Sequence, residues 1–507
     1  MKDSKKIRNN LIAGMAGQIV AVVLGIVVSR FVLLHYGSEV NGLLSSVTNI
    51  YAYIAIVEAG VAAASCQGLY KALTKNDLHQ TNSILSATNR YYHRTGLIYL
   101  ALIGAFSAIY PLLIDSEIPY HTIVLVILFN GFGNVVNYFF HGKFMILLKA
   151  DGKNYVRAGL ETLVNVVKQL LKILLIKLGY DVIFVQMVAM LASFLQMIYI
   201  TCYIKKHYSW IDLSCEPDMA VISQSKHVLI HEINYLISTN VDVVLLTIFS
   251  TLKTVSVYSL YNMLYGTINK VLYTVREALE FKIAREFHSD QLGFQTVFHT
   301  FEVYYMAFAF SLFSITTYFV TPFLRLYTQG VTDTEYILPH LPILFALINL
   351  LASGRHPLDV MIQVSGHFRM TQKSAILEST INIIASLIFI QLWGITGVLL
   401  GSVASTLYRL VYMIYYVNSC ILDRKVIVSY RCWLINFIVF LIVLLLNRLI
   451  VVALDSYVKI FAFCIPYAIG NILLFFGSAS VLEPEAFRYA HSIVKLVLRK
   501  GNNNEFG

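Results

Sequence analysis

About fourteen apolar stretches, each close to the twenty residues that a helix needs to cross a bilayer, run end to end through this chain. They fall at 11–34, 40–65, 95–114, 120–148, 158–177, 181–204, 227–250, 254–275, 299–322, 337–354, 373–391, 395–418, 432–453 and 457–481. That pattern confines the fold sharply. In hydrocarbon every backbone N–H and C=O must be paired internally, so segments of this length span as α-helices. The expected fold class is therefore an all-α polytopic membrane protein. Of 507 residues 58% are hydrophobic and 13% charged, against about 25% charged in an ordinary soluble domain. No stretch is long and polar enough for a separate soluble domain.

The loops orient the spans. The net charge of +10 is read through the excess of Lys and Arg on cytoplasmic loops; no basic patch on a soluble face suggests nucleic acid. Lys2, Lys5, Lys6 and Arg8 precede the first span, which is too long for a signal-peptide core and reads as an uncleaved helix that starts in the cytoplasm. Basic residues then recur after every second span, as in Lys71–Lys75, Lys149–Arg157 and Arg424–Arg431. The turns between, such as His35–Glu39 and Asp115–Pro119, are short and poor in them. The expectation is a multi-pass membrane protein with both termini cytoplasmic.

The chain also echoes itself. Leu160-Glu161-Thr162-Leu163-Val164-Asn165 and Leu377-Glu378-Ser379-Thr380-Ile381-Asn382 each open a span, 217 residues apart (160 and 377). Six spans per copy would keep both copies in one orientation, as parallel repeats about an axis along the membrane normal. The expected division is 1–205 for spans 1–6, a cytoplasmic linker at 206–225, 226–420 for spans 7–12, and 421–507 for two further spans and a tail.

Charges inside the spans mark the candidate site. Arg30, Glu58, Lys168, Lys172, Asp242, Lys270 and Arg409 lie within apolar stretches. A central Lys, Arg or Asp costs about 2.5–3.5 kcal/mol on insertion scales, so such groups face a cavity or a partner. On the fifth span Glu161, Asn165, Lys168 and Lys172 follow i, i+4, i+7, i+11 and share one face. On the fourth, Asn130, Asn134, Asn137 and His141 repeat that spacing with groups that suit sugar hydroxyls or interhelical hydrogen bonds. On the eighth, Tyr258, Asn262, Tyr265, Asn269, Tyr273 and Arg276 lie along one side with Lys270 adjacent, an aromatic and amide stripe that suits sugar faces and edges or helix packing. Arg30 and Arg409 could hold phosphate or pair with Glu58 or Glu378. Asp242 reads equally as a proton site or a counter-ion for Lys270.

No cofactor is expected. The chain has no G-x-x-x-x-G-K-[ST] loop and no HExxH. Its six cysteines include no C-x-x-C pair, so neither a disulfide framework nor a zinc site is expected.

Several local sequences resemble the polysaccharide and oligosaccharide-lipid flippases (Wzx-like) of the multidrug/oligosaccharidyl-lipid/polysaccharide (MOP) exporter superfamily. They are Ser29-Arg30, Gly37, Glu39 to Leu43, Glu58-Ala59-Gly60, Lys149 to Lys153, Tyr155, Asn240 to Asp242 and Val257 to Tyr261. The resemblance implies two six-helix lobes around a cavity open alternately to each side. It implies an undecaprenyl-diphosphate-linked glycan as substrate, an O-antigen, capsule or exopolysaccharide unit, with the cavity residues as its ligands. It also implies contact with membrane lipid, a groove for the lipid tail beside the last two spans, and a polysaccharide polymerase and chain-length regulator as partners. Two alternatives stay open. A multidrug exporter of the same superfamily would carry acidic cation sites in about twelve helices. A membrane polysaccharide polymerase or ligase would be an enzyme with catalytic groups on a sizeable external loop, and no such loop is visible in the sequence.

Overall fold

The computed structural model describes residues 2–55, 61–220, 226–289, 291–450 and 452–503. Among them there is helix and loop and no strand, as the pairing rule for hydrocarbon demands. The helices are α1 (Lys2–Ile54), α2 (Val61–Thr74), α3 (Leu78–Leu113), α4 (Tyr120–Val136), a π-helical turn (Asn137–His141), α5 (Gly142–Ala150), α6 (Asn154–Lys177) and α7 (Val182–His207). They continue as α8 (Lys226–Phe249), α9 (Leu252–Ser289), α10 (Gln291–Tyr327), α11 (Leu341–Gly354), α12 (His356–Ser365), α13 (Phe368–Trp393), α14 (Ile395–Cys420), α15 (Ile427–Asn447), α16 (Tyr457–Leu482) and α17 (Pro484–Asn503). Ten described helices are long and apolar enough to cross a membrane. The chain is an all-helical, multi-pass membrane protein.

The difference between ten and the fourteen stretches read from sequence has physical causes. The first two stretches share α1, which is broken at Gly37 (φ 85°, ψ 177°), a conformation that strains any residue with a Cβ. α6 is long enough, but Glu161, Lys168 and Lys172 load its middle with charge. After the Gly37 break the second half of α1 begins with bare N–H groups. Asp333, distant in sequence, takes up the first: Ser38 N–H donates to Oδ2 at 2.7 Å and Ser38 Oγ to Oδ1 at 2.6 Å. A carboxylate there does the work of an N-cap and complements the helix dipole. One turn on, Gly42 lets the backbones meet, since a Cβ there would fall 1.8 Å from the Leu252 carbonyl oxygen.

Two compact units divide the chain. The first is 1–259 with 330–334; the second is 260–329 with 335–507. The first holds two apolar clusters, one around Leu69, Tyr92, Leu147 and Ile200, the other around Leu43, Tyr99, Ile103 and Val126. The second centres on Phe298, Met361, Met413 and Val417. Outside these cores the pattern inverts that of a soluble protein. Leu112, Leu195, Leu445 and Phe461 are exposed, while Asn382 is buried and donates to Ser402 and Ser405, each at 3.1 Å. Small polar groups joining helices inside and leucines outside are what a bilayer selects.

Element boundaries recur along the chain. α6 and α13 start 214 residues apart (154 and 368), and α7 and α14 start 213 apart (182 and 395). Glycines with positive φ precede both members of each pair, Gly152 and Gly366, then Gly179 and Gly394. Glu161 and Glu378 thus fall on corresponding helices.

Candidate functional site: a polar cavity in the first unit

α6 has the amphipathic spacing seen in the sequence, and packing turns that spacing into a wall. α6 packs against α1 and α7, and α7 against α4. The stripe on α6 is left facing a cavity of about 990 Å³, lined by Arg157, Glu161, Asn165, Lys168, Gln169 and Lys172 on that side. The opposite wall is Asn130, Asn134, Asn137 and His141 from α4 and the π turn. The volume lies at the upper end of the usual ligand-pocket range, about 300–1,000 Å³.

The π turn matters to that second wall. Gly142 N–H donates to the Asn137 carbonyl across it, which inserts one residue into the α-helical register. Asn137 and His141 nevertheless remain on the cavity side with Asn130 and Asn134. α7 supplies a third wall through Gln186, Ser193 and Gln196, none of which stood out in the sequence. They share a face at i, i+7 and i+10, so periodicity alone could have flagged them; they drew no notice because α7 carries no charge until its last turn.

The hydrogen bonds grade the cavity. Gln186 Oε1 accepts from Lys172 Nζ at 3.2 Å and from Asn130 Nδ2 at 3.3 Å, tying three walls together. Asn134 Nδ2 donates to Tyr99 Oη at 3.0 Å. Arg157 approaches Glu161 at 3.5 Å. Lys168 has no hydrogen-bond or ion-pair partner among the described residues. Three buried atoms of these walls, His141 Nδ1, Gln169 Oε1 and Ser193 Oγ, also have none. A buried polar atom left unpaired costs about 1–3 kcal/mol, so these three are unmet demands within the walls, while Lys168 faces the cavity itself. Lys149, Arg157, Lys168 and Lys172 face it with Glu161 as the one carboxylate among the lining residues. The chemistry is that of an anion site bordered by neutral amides.

The remaining candidates lie elsewhere. Arg30 is half-buried on α1 and does not line this cavity. Glu58 lies outside the described residues. Asp242 is buried in the first unit and accepts from Tyr258 Oη at 3.1 Å. Lys270 is exposed in the second unit. Glu378 and Arg409 are buried there together: Arg355 NH1 meets Glu378 Oε1 at 2.5 Å and Arg409 Nε meets Oε2 at 3.5 Å. Arg409 also donates to Ser374 Oγ at 2.7 Å and to the Thr371 carbonyl at 3.2 Å. Of the two uses open to Arg409, the structure displays the internal pair. In the α9 stripe Tyr265 Oη donates to the Pro342 carbonyl at 2.7 Å and Asn269 to Asn349, both packing contacts, while Asn262 and Tyr273 are exposed.

Comparison with solved structures places this architecture. The lipid II flippase MurJ, in an inward closed conformation, matches with a TM-score of 0.69 at 14% identity, over 94% of this chain and 100% of that one. The chain shares the fold of that protein. An inward-facing multidrug resistance MATE transporter of the MOP superfamily matches at 0.64 with 12% identity, over 85% of this chain and 98% of its own. The MATE multidrug transporter DinF-BH matches at 0.58 with 16% identity, over 82% of this chain and 95% of its own. No protein-family model matches the sequence, and no curated protein does.

Proposed function

We propose that this chain is a flippase that carries an undecaprenyl-diphosphate-linked oligosaccharide repeat unit, of O-antigen, capsule or exopolysaccharide, across the bacterial inner membrane. The lining of the cavity carries this reading. Four basic side chains against one carboxylate suit a diphosphate. The ring of Asn, Gln and Ser suits sugar hydroxyls, which both donate and accept. Polar groups held inside a membrane protein are functional by default because they are costly there. The fold shared with a lipid II flippase adds to the case.

In this reading the cavity opens in turn to each face of the membrane, and a gradient or the removal of product drives the cycle. The two repeats are its lobes, 1–205 and 226–420. The last two spans help to shelter the lipid tail. A polymerase and chain-length regulator take the delivered unit.

The second reading, a multidrug exporter, draws on the MATE neighbours. Exporters of cationic drugs need anionic linings, and this lining is cationic. The deciding experiment is mass spectrometry of lipids that co-purify with the protein from its native membrane. A diphosphate-linked glycan that disappears in a Lys168→Gln/Lys172→Gln variant supports the flippase. Repeated recovery of cationic amphiphiles and no lipid-linked glycan would overturn it.

A further inference from the structure

A second polar cluster lies far from the cavity in sequence, within the second unit. Among its described residues, His299, Glu302 and Cys432 bring one imidazole nitrogen, one carboxylate oxygen and one sulfur within 4.8 Å of one another. His299 and Glu302 stand one turn apart (i, i+3) on α10; Cys432 faces them from α15. We propose that these three side chains form a binding site for a divalent transition cation of the zinc class, which clasps α10 to α15.

The donor set points to that class. Imidazole, carboxylate and thiolate together favour zinc, while calcium and magnesium prefer all-oxygen sites. Zinc–ligand bonds of about 2.0–2.3 Å in a tetrahedron put donor atoms about 3.3–3.8 Å apart. Closing from 4.8 Å therefore takes about 1 Å of side-chain adjustment.

The surroundings are arranged as ligand support. His299 Nε2 lies 3.3 Å from Glu483 Oε2, and Arg431 grips that carboxylate with two bonds, at 2.7 and 2.6 Å. A carboxylate behind a histidine places the proton on the near nitrogen and leaves the far lone pair for a metal. The far nitrogen, His299 Nδ1, is buried and has no hydrogen-bond partner. Glu302 is aimed by Arg424 NH2 and Ser429 Oγ, each at 2.5 Å. Arg424 and Arg431 balance Glu302 and Glu483, so their carboxylates are already settled as ion pairs. The imidazole lone pair and the Cys432 thiol are what the ion pairs leave over. Binding would release the thiol proton to solvent and give a thiolate ligand.

The test uses the full-length protein in detergent, stripped with chelator and titrated with Co(II). The expected result is one equivalent bound, visible d–d bands of tetrahedral cobalt and a near-ultraviolet sulfur-to-cobalt band, all displaced by zinc. Cys432→Ser should lose the sulfur band, and His299→Gln should weaken binding at least tenfold. Glu483→Gln should weaken it by about 10- to 100-fold, the usual effect of losing the group behind a ligand. Lys168→Gln, at the unrelated cavity, should titrate as the parent does. Because one substitution could impair folding, the Cys432→Ser and His299→Gln proteins are read independently. Absence of a sulfur-to-cobalt band in the parent protein, or equal affinity and spectra in parent and Cys432→Ser, overturns the proposal.

Discussion

Lys168→Gln separates binding from stability, because the structure gives the two effects opposite signs. Lys172 donates to Gln186 at 3.2 Å and Arg157 approaches Glu161 at 3.5 Å, so changing either disturbs the walls. Lys168 faces the cavity with no protein partner among the described residues. Losing its charge removes a desolvation penalty and breaks no pair, and a neutral amide is easier to hold at that depth. The thermal midpoint in detergent should stay level or rise. Binding of an anionic headgroup should fall. One charge-assisted hydrogen bond is worth about 1.5–3 kcal/mol, which is about a 10- to 150-fold rise in Kd. The assay is native mass spectrometry or fluorescence titration of undecaprenyl diphosphate against protein in nanodiscs, with surface polymer measured in cells at matched expression. Lys168→Arg keeps the charge and should retain more of both, within the limits set by a wider, planar head. If Lys168→Gln and the double change Lys168→Gln/Lys172→Gln both bind within threefold of the parent, the cavity does not read the diphosphate and the reasoning fails.

Three other expectations follow from other parts of the molecule. Glu378→Gln leaves the Arg355 and Arg409 guanidinium groups facing each other where a carboxylate joined them; unfolding free energy should drop by about 3–5 kcal/mol, and a second change, Arg409→Leu, should restore part of it. Asp333→Ala removes both bonds to Ser38; a loss of about 0.5–2 kcal/mol, the value of an N-cap, should register as a lower thermal midpoint, with Asp333→Asn milder. Reporter fusions after His35 and Asp115 should read external, and those after Lys75 and Lys153 cytoplasmic; reversal at any two of these sites refutes the orientation.

What the sequence disclosed and what it hid divide along physical lines. Helical period is a local property, so the stripes on α4 and α6 were legible as faces. Those residues do share one cavity in the fold. Helix existence was equally legible, because apolar length in a bilayer leaves few choices. Which charge meets which was hidden, since that depends on tertiary contact: Arg409 with Glu378 was one of several pairings open to it. The π turn was hidden as well, because Asn-Tyr-Phe-Phe-His carries no composition that marks a fifth-residue bond. Lys149 and Arg157 read as ordinary loop cations, yet both also line the cavity. The cluster at Cys432 escaped because its donors come from helices more than a hundred residues apart, with no C-x-x-C to announce them.

The Asp333 cap also has a meaning for anyone who would cut the gene. Residues 330–334 belong to the first unit, while the chain on both sides of them belongs to the second. The chain therefore passes between units three times, at 259/260, 329/330 and 334/335. A fragment ending at residue 259 looks like a complete half on paper, yet it lacks the carboxylate that starts the second half of α1. Expressed by itself it should be the less robust fragment. Supplied with the remainder as a separate polypeptide, it regains the missing cap only by recruiting that five-residue strap, so complementation between the two pieces would depend on Asp333 even though no cut was made near it.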